Sequence, residues 1–106
     1  MIPELSAREL AERLRGPNPP LLVDVREPHE WAYSRIPGAQ LRPMGQIMTW
    51  MRDLDPAAEI VLQCHTGVRS YQVAAYLQAH GFKNVYNLRG GIDAWSLEVD
   101  PGVPRY

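Results

Sequence analysis

The stretch that most restricts how this 106-residue chain folds lies just past its middle. Glu59-Ile60-Val61-Leu62-Gln63 is a short apolar run that reads as a buried strand. Tyr71 to Gly81 reads as a helix, and between the two lie the residues Cys64-His65-Thr66-Gly67-Val68-Arg69-Ser70. A strand that feeds a short glycine-containing loop and then a helix gathers backbone N–H groups at a positive helix end. The only cysteine in the chain is the first residue of that loop. A thiol so placed has its thiolate stabilised, and the thiolate is the nucleophile.

The rest of the chain supplies partners for that strand. Ser6-Ala7-Arg8-Glu9 is a capping-box pattern, with Leu5, Leu10 and Leu14 forming a helical stripe behind it. Gly16-Pro17-Asn18-Pro19-Pro20 stops that helix. Leu21-Leu22-Val23-Asp24-Val25 is apolar except for Asp24, the pattern of a strand covered on both faces of a parallel sheet. Glu27 to Tyr33 suits a short helix with Pro28 in its first turn. Ile36 to Ala39 is a turn and Ala39 to Arg42 a short strand. Ile47, Met48, Trp50, Met51 and Leu54 have helical spacing. Gly81 closes the helix after the loop, with Phe82 placed for the accompanying apolar contact. Val85 to Leu88 reads as a fourth strand, Ile92 to Trp95 as a short segment, and Val99 to Tyr106 as an irregular tail. Strands alternating with helices predict an α/β domain whose sheet is mostly parallel, with the working site at the carboxyl ends of the strands. Cys64 falls at such an end.

The length predicts one domain over 1–106. A net charge of −1 gives no basic field for nucleic acid or a membrane surface, and no apolar stretch is long enough to span a bilayer. No basic start followed by an apolar run marks a secretory signal. A single cysteine excludes an intramolecular disulfide and a cysteine-cluster metal site. His29 and His80 lack metal-ligand spacing, so neither metal nor cofactor is expected. A lone functional thiol fits a reduced, cytoplasmic setting.

Three segments together resemble a single-domain rhodanese, a thiosulfate sulfurtransferase-type domain. They are Leu22-Val23-Asp24-Val25-Arg26-Glu27 with Glu30-Trp31 and Ile36-Pro37-Gly38-Ala39, the loop Cys64 to Ser70, and Asn87-Leu88-Arg89-Gly90-Gly91-Ile92-Asp93-Ala94-Trp95. The likeness runs from about Leu21 to Trp95. It implies a rhodanese-like α/β fold, with a mostly parallel central sheet flanked by helices on both faces. It also implies a cysteine that cycles through a persulfide, taking sulfane sulfur from a small anionic donor such as thiosulfate. A thiol or cyanide would be the acceptor, and a sulfur-relay protein is a further partner of the kind implied. Ser34-Arg35 stands where the family usually has Gly-His, and a change confined to a surface turn is expected.

The residues themselves suit that chemistry. The backbone from His65 through Thr66, Gly67, Val68, Arg69 and Ser70 can form a nest for a thiolate, a persulfide and an anionic donor. Gly67 permits close approach or a positive φ, and Arg69 offers a fork of donors suited to a sulfonate-like oxyanion. His65 faces either substrate or solvent. Asp24 in an apolar strand needs a partner, which Arg26 or a loop amide can supply, so both read as structural support. Trp31, Trp50 and Trp95 read as packing residues. Cysteine phosphatases and arsenate reductases on this fold use Cys-x5-Arg, whereas only four residues separate Cys64 from Arg69. The tighter loop fits a single sulfur better than a phosphoryl group. Two readings then stand beside each other: an enzyme that turns over a small donor, and a carrier module that passes sulfur between protein partners.

Overall fold

Ile60, Val61 and Leu62 are wholly buried in the computed structural model, which describes residues 1–106, because their strand β4 (Ile60–Gln63) is covered on both faces. β2 (Leu21–Asp24) lies on one side of it and β5 (Val85–Leu88) on the other. β3 (Gln40–Leu41) extends the sheet beyond β2, and β1 (Glu4–Leu5) extends it beyond β5. All pairs are parallel, and the order is β1-β5-β4-β2-β3.

Alternation along the strands divides the core in two. Val23, Val25, Ile60, Leu62 and Val85 pack with Trp50, Val73, Ala74 and Leu77 on one face. Leu22, Val61 and Leu88 pack with Ala7, Leu10, Ala11, Ile92 and Trp95 on the other. The first face is therefore covered by α3 (Ile47–Trp50) and α4 (Val68–Ala79), the second by α1 (Ala7–Arg15) and α5 (Gly91–Glu98). Each fully buried aliphatic side chain contributes about 1.5–3 kcal/mol, which fixes the sheet as a rigid base for the loops above it.

The helix punctuation follows the sequence. The Ser6 hydroxyl accepts the Glu9 N–H at 3.1 Å while the Glu9 carboxylate accepts the Ser6 N–H at 2.8 Å, closing the capping box of α1. Gly81 has φ +92° just past α4, and the Phe82 N–H reaches back to the Leu77 carbonyl at 3.1 Å. α2 (Pro28–Tyr33) begins at the expected proline.

Four details differ from the sequence reading. β1 has no counterpart among the expected strands. The 47–54 stretch is broken into short pieces, with α3 flanked by tight turns over Met44–Gln46 and Met51–Asp53. α4 starts at Val68 and not at Tyr71, so Val68, Arg69 and Ser70 form its first turn. Ser34, expected in a surface turn, is buried, and its carbonyl accepts the Arg26 Nη2–H at 2.6 Å. Only Arg35 of that dipeptide is exposed, with its guanidinium over the Trp31 ring at 4.6 Å. No helix is long and apolar enough to cross a membrane.

Candidate active site

Cys64 follows β4 directly, and the chain must then turn sharply to start α4 four residues later. Gly67 makes the turn with φ +104°, a conformation that a side chain at this position would strain. Its Cβ would also stand 3.4 Å from the Gly90 nitrogen and the Leu88 carbonyl. The result folds the loop back over the cysteine sulfur. Sγ accepts the Gly67 N–H at 3.1 Å, the Ser70 N–H at 3.4 Å and lies 3.3 Å from the Ser70 hydroxyl. The N–H groups of Thr66, Val68 and Arg69 have no partner within the protein. Thr66 and Val68 are exposed at the rim, while Cys64 lies at the bottom with 1% of its surface accessible.

Two further elements hold the loop in this shape. From β5, Asn87 donates to the Gly67 carbonyl at 3.1 Å and accepts the Ser70 hydroxyl at 2.5 Å. Since one hydroxyl has one hydrogen, Ser70 gives it to Asn87 or to the sulfur, and the choice depends on whether the sulfur carries its own proton. From α5, the Ile92 and Asp93 N–H groups bind the Cys64 and His65 carbonyls at 2.8 and 3.1 Å. Gly91, with φ +60°, lets that helix approach: a Cβ there would sit 2.5 Å from both carbonyl oxygens. Asn87 and Gly91 belong to the third sequence segment, whose role in shaping the loop no local pattern reveals.

Asp24 and Arg26 lie under the site as a fully buried ion pair, with Nη2 2.7 Å from the carboxylate. Arg26 also reaches the Ser34 carbonyl and, through Nη1, the Tyr106 hydroxyl at 3.0 Å. The tail is irregular, as expected, yet it returns to the site. Tyr106 stacks on His65 with ring centroids 3.9 Å apart and planes 11° from parallel. One face of the His65 ring is thus covered by Tyr106, and the residue is half-buried.

Arg69 departs most from expectation. Its fork is engaged: Nη1 and Nη2 meet the two oxygens of Glu30 at 2.8 and 2.9 Å. Glu30 also accepts the Glu27 N–H at 2.9 Å and the Tyr106 hydroxyl at 2.6 Å. The Arg69 guanidinium holds the Glu30 carboxyl far below the usual carboxylate range, and Glu30 in turn raises Arg69. Burial pushes the Tyr106 phenol above its ordinary value, so it remains an O–H donor.

Comparison with known proteins agrees with this fold. A family profile described as a rhodanese-like domain matches residues 6–98. A sulfurtransferase from Allochromatium vinosum is 42% identical over 103 residues, covering 97% of this chain and 96% of that protein. The rhodanese-like/PpiC domain-containing protein 12 of Arabidopsis thaliana chloroplasts is 40% identical over 112 residues, 99% of this chain, but this chain spans only 38% of its length. Among solved structures, a rhodanese-like domain protein from Staphylococcus aureus superposes with a TM-score of 0.86 at 32% identity, covering 99% of each chain.

Proposed function

The chain belongs to the rhodanese-like domain family, and on that premise we propose that it is a sulfurtransferase working through a persulfide on Cys64. The observation that carries the reading is the cradle around the cysteine sulfur, in which Gly67 and Ser70 direct N–H groups at Sγ. With thiosulfate as donor, the Cys64 thiolate attacks the outer sulfur. The S–S bond breaks with its electron pair leaving on sulfite, and Cys64 is left as a persulfide anion. Cyanide then attacks the terminal sulfur, thiocyanate departs and the thiolate is restored. Such division of one transfer into two steps is covalent catalysis. The unpaired N–H groups of Thr66, Val68 and Arg69 suit the terminal sulfur of the intermediate, which carries the charge after transfer.

A second reading, a carrier that hands sulfur between protein partners, is favoured by one feature: the Arg69 fork is already bound to Glu30. Both readings need the same nucleophile. Replacing Cys64 with Ser should abolish sulfur transfer to cyanide from every donor, because an alcohol cannot form the persulfide. A variant that keeps the wild-type rate would overturn the proposal.

A further inference from the structure

Sulfane-sulfur donors fall into two chemical classes. In thiosulfonates, thiosulfate among them, the leaving group is an oxyanion whose oxygens need a cation. In persulfides the leaving group is a thiolate on an organic carrier, with no sulfonate to hold. A free guanidinium or ammonium beside the nucleophile therefore favours the first class.

The loop here carries one such group, Arg69, and it is spent on Glu30 through two parallel bonds. The lock is well built. Each Glu30 oxygen accepts a second bond, one from the Glu27 N–H at the start of α2 and one from the Tyr106 hydroxyl. Tyr106 is itself fixed by Arg26 and by its stack on His65. The other basic residues nearby offer no substitute. Arg26 is fully buried on Asp24, and Arg105 is paired with Asp93 at 2.8 Å. The cleft beside the lock is lined by His29, Glu30, Tyr33 and Tyr106, which is aromatic and carries a carboxylate. A dianion approaching the loop finds the Arg69 guanidinium already neutralised by Glu30.

We infer that Glu30 determines donor choice, closing the Arg69 fork to small sulfonate-type anions and leaving the site to persulfide donors. This rests on the reading that Cys64 carries the sulfur. The favoured step is then attack of the Cys64 thiolate on the outer sulfur of R–S–SH. The inner S–S bond breaks, its electron pair leaves on the carrier thiolate R–S⁻, and Cys64 becomes Cys64–S–SH with the proton retained on the outer sulfur.

The test compares loading of Cys64, read by intact mass, from thiosulfate and from the persulfide of N-acetylcysteine amide, a donor with no carboxylate. Glu30→Gln keeps an acceptor for the Glu27 N–H and removes the charge that holds Arg69. It should raise kcat/KM for thiosulfate by about tenfold, chiefly through KM, since a charge-assisted fork is worth more than one factor of ten. Loading from the persulfide should change by less than roughly threefold, because that donor does not use the fork. Tyr106→Phe, which loosens the lock without removing it, should give a smaller gain of the same sign. Adding Arg69→Ala to Glu30→Gln should cancel the gain, which a merely structural role for Glu30 does not require. An unchanged thiosulfate KM in both Glu30→Gln and Tyr106→Phe overturns the role of Glu30 alone. A wild-type protein that loads from neither donor overturns the Cys64 reading beneath it.

Discussion

Replacing Asp24 by Asn keeps the shape of the side chain and removes the charge that answers Arg26. Both members of the pair have no exposed side-chain surface. The carboxylate accepts the Arg26 backbone N–H at 3.0 Å, Nε at 2.9 and 3.1 Å to its two oxygens, and Nη2 at 2.7 Å. What remains for the guanidinium after substitution is neutral: the Ser34 carbonyl, the Tyr106 hydroxyl and, at 3.5 Å, the Glu30 carbonyl. Removing one charge of a buried pair costs about 3–5 kcal/mol, and the amide oxygen returns about 1 kcal/mol as an ordinary hydrogen bond. The net loss is therefore roughly 2–4 kcal/mol. For a domain of this size each kcal/mol moves Tm by roughly 4–8 °C, so Asp24→Asn should melt roughly 8–32 °C below the wild type. Thermal and urea unfolding followed by circular dichroism measure both quantities. The double variant Asp24→Leu, Arg26→Met should recover most of the loss, because a buried ion pair adds little over well-packed apolar groups of similar size. An Asp24→Asn protein within about 1 kcal/mol of the wild type would refute the argument that Arg26 depends on this one carboxylate.

Other substitutions test the support of the loop. Gly91→Ala sets a Cβ against the Cys64 and His65 carbonyls, backbone atoms that cannot move aside cheaply. It should cost more than about 2 kcal/mol and depress transfer, whereas Gly81→Ala, with nothing near its Cβ, should cost only the left-handed penalty of about 1 kcal/mol. Equal urea midpoints for the two would contradict this contrast. Ser70→Ala removes the hydroxyl poised between Sγ and Asn87 and should slow alkylation of Cys64 by iodoacetamide about tenfold at neutral pH, in line with one hydrogen bond to a charged group. An unchanged alkylation rate would mean that the hydroxyl stays on Asn87 throughout.

What the sequence makes legible is what lies close together along it. The run from β4 through Cys64 to α4 is contiguous, so its apolar strand, its glycine and its cysteine declare strand, turn and nucleophile in order. The Ser6–Glu9 capping box and the Gly81 helix end are equally local. β1 escapes because two residues carry no periodicity, and its pairing is with β5 at the far end of the chain. The start of α4 at Val68 escapes because Gly67, in a left-handed conformation, caps the helix without the polar side chain that usually marks a start. Arg69 is visible in the loop, but its occupant is not: Glu30 lies 39 residues away, and Tyr106, which completes the lock, lies 76 residues from Glu30. Charge pairing at that separation follows from topology, since parallel strands bring the ends of β2, β4 and β5 to one edge while the tail crosses over them.

In the proposed reaction Cys64 holds sulfur covalently between donor and acceptor. Intact-mass measurement after exposure to the N-acetylcysteine amide persulfide and removal of excess donor tests it directly. The wild type should gain the mass of one sulfur atom, located on Cys64 by peptide mapping, and lose it on adding cyanide with release of thiocyanate. Absence of the adduct, or an equal adduct in Cys64→Ser, would rule out Cys64 as the sulfur carrier.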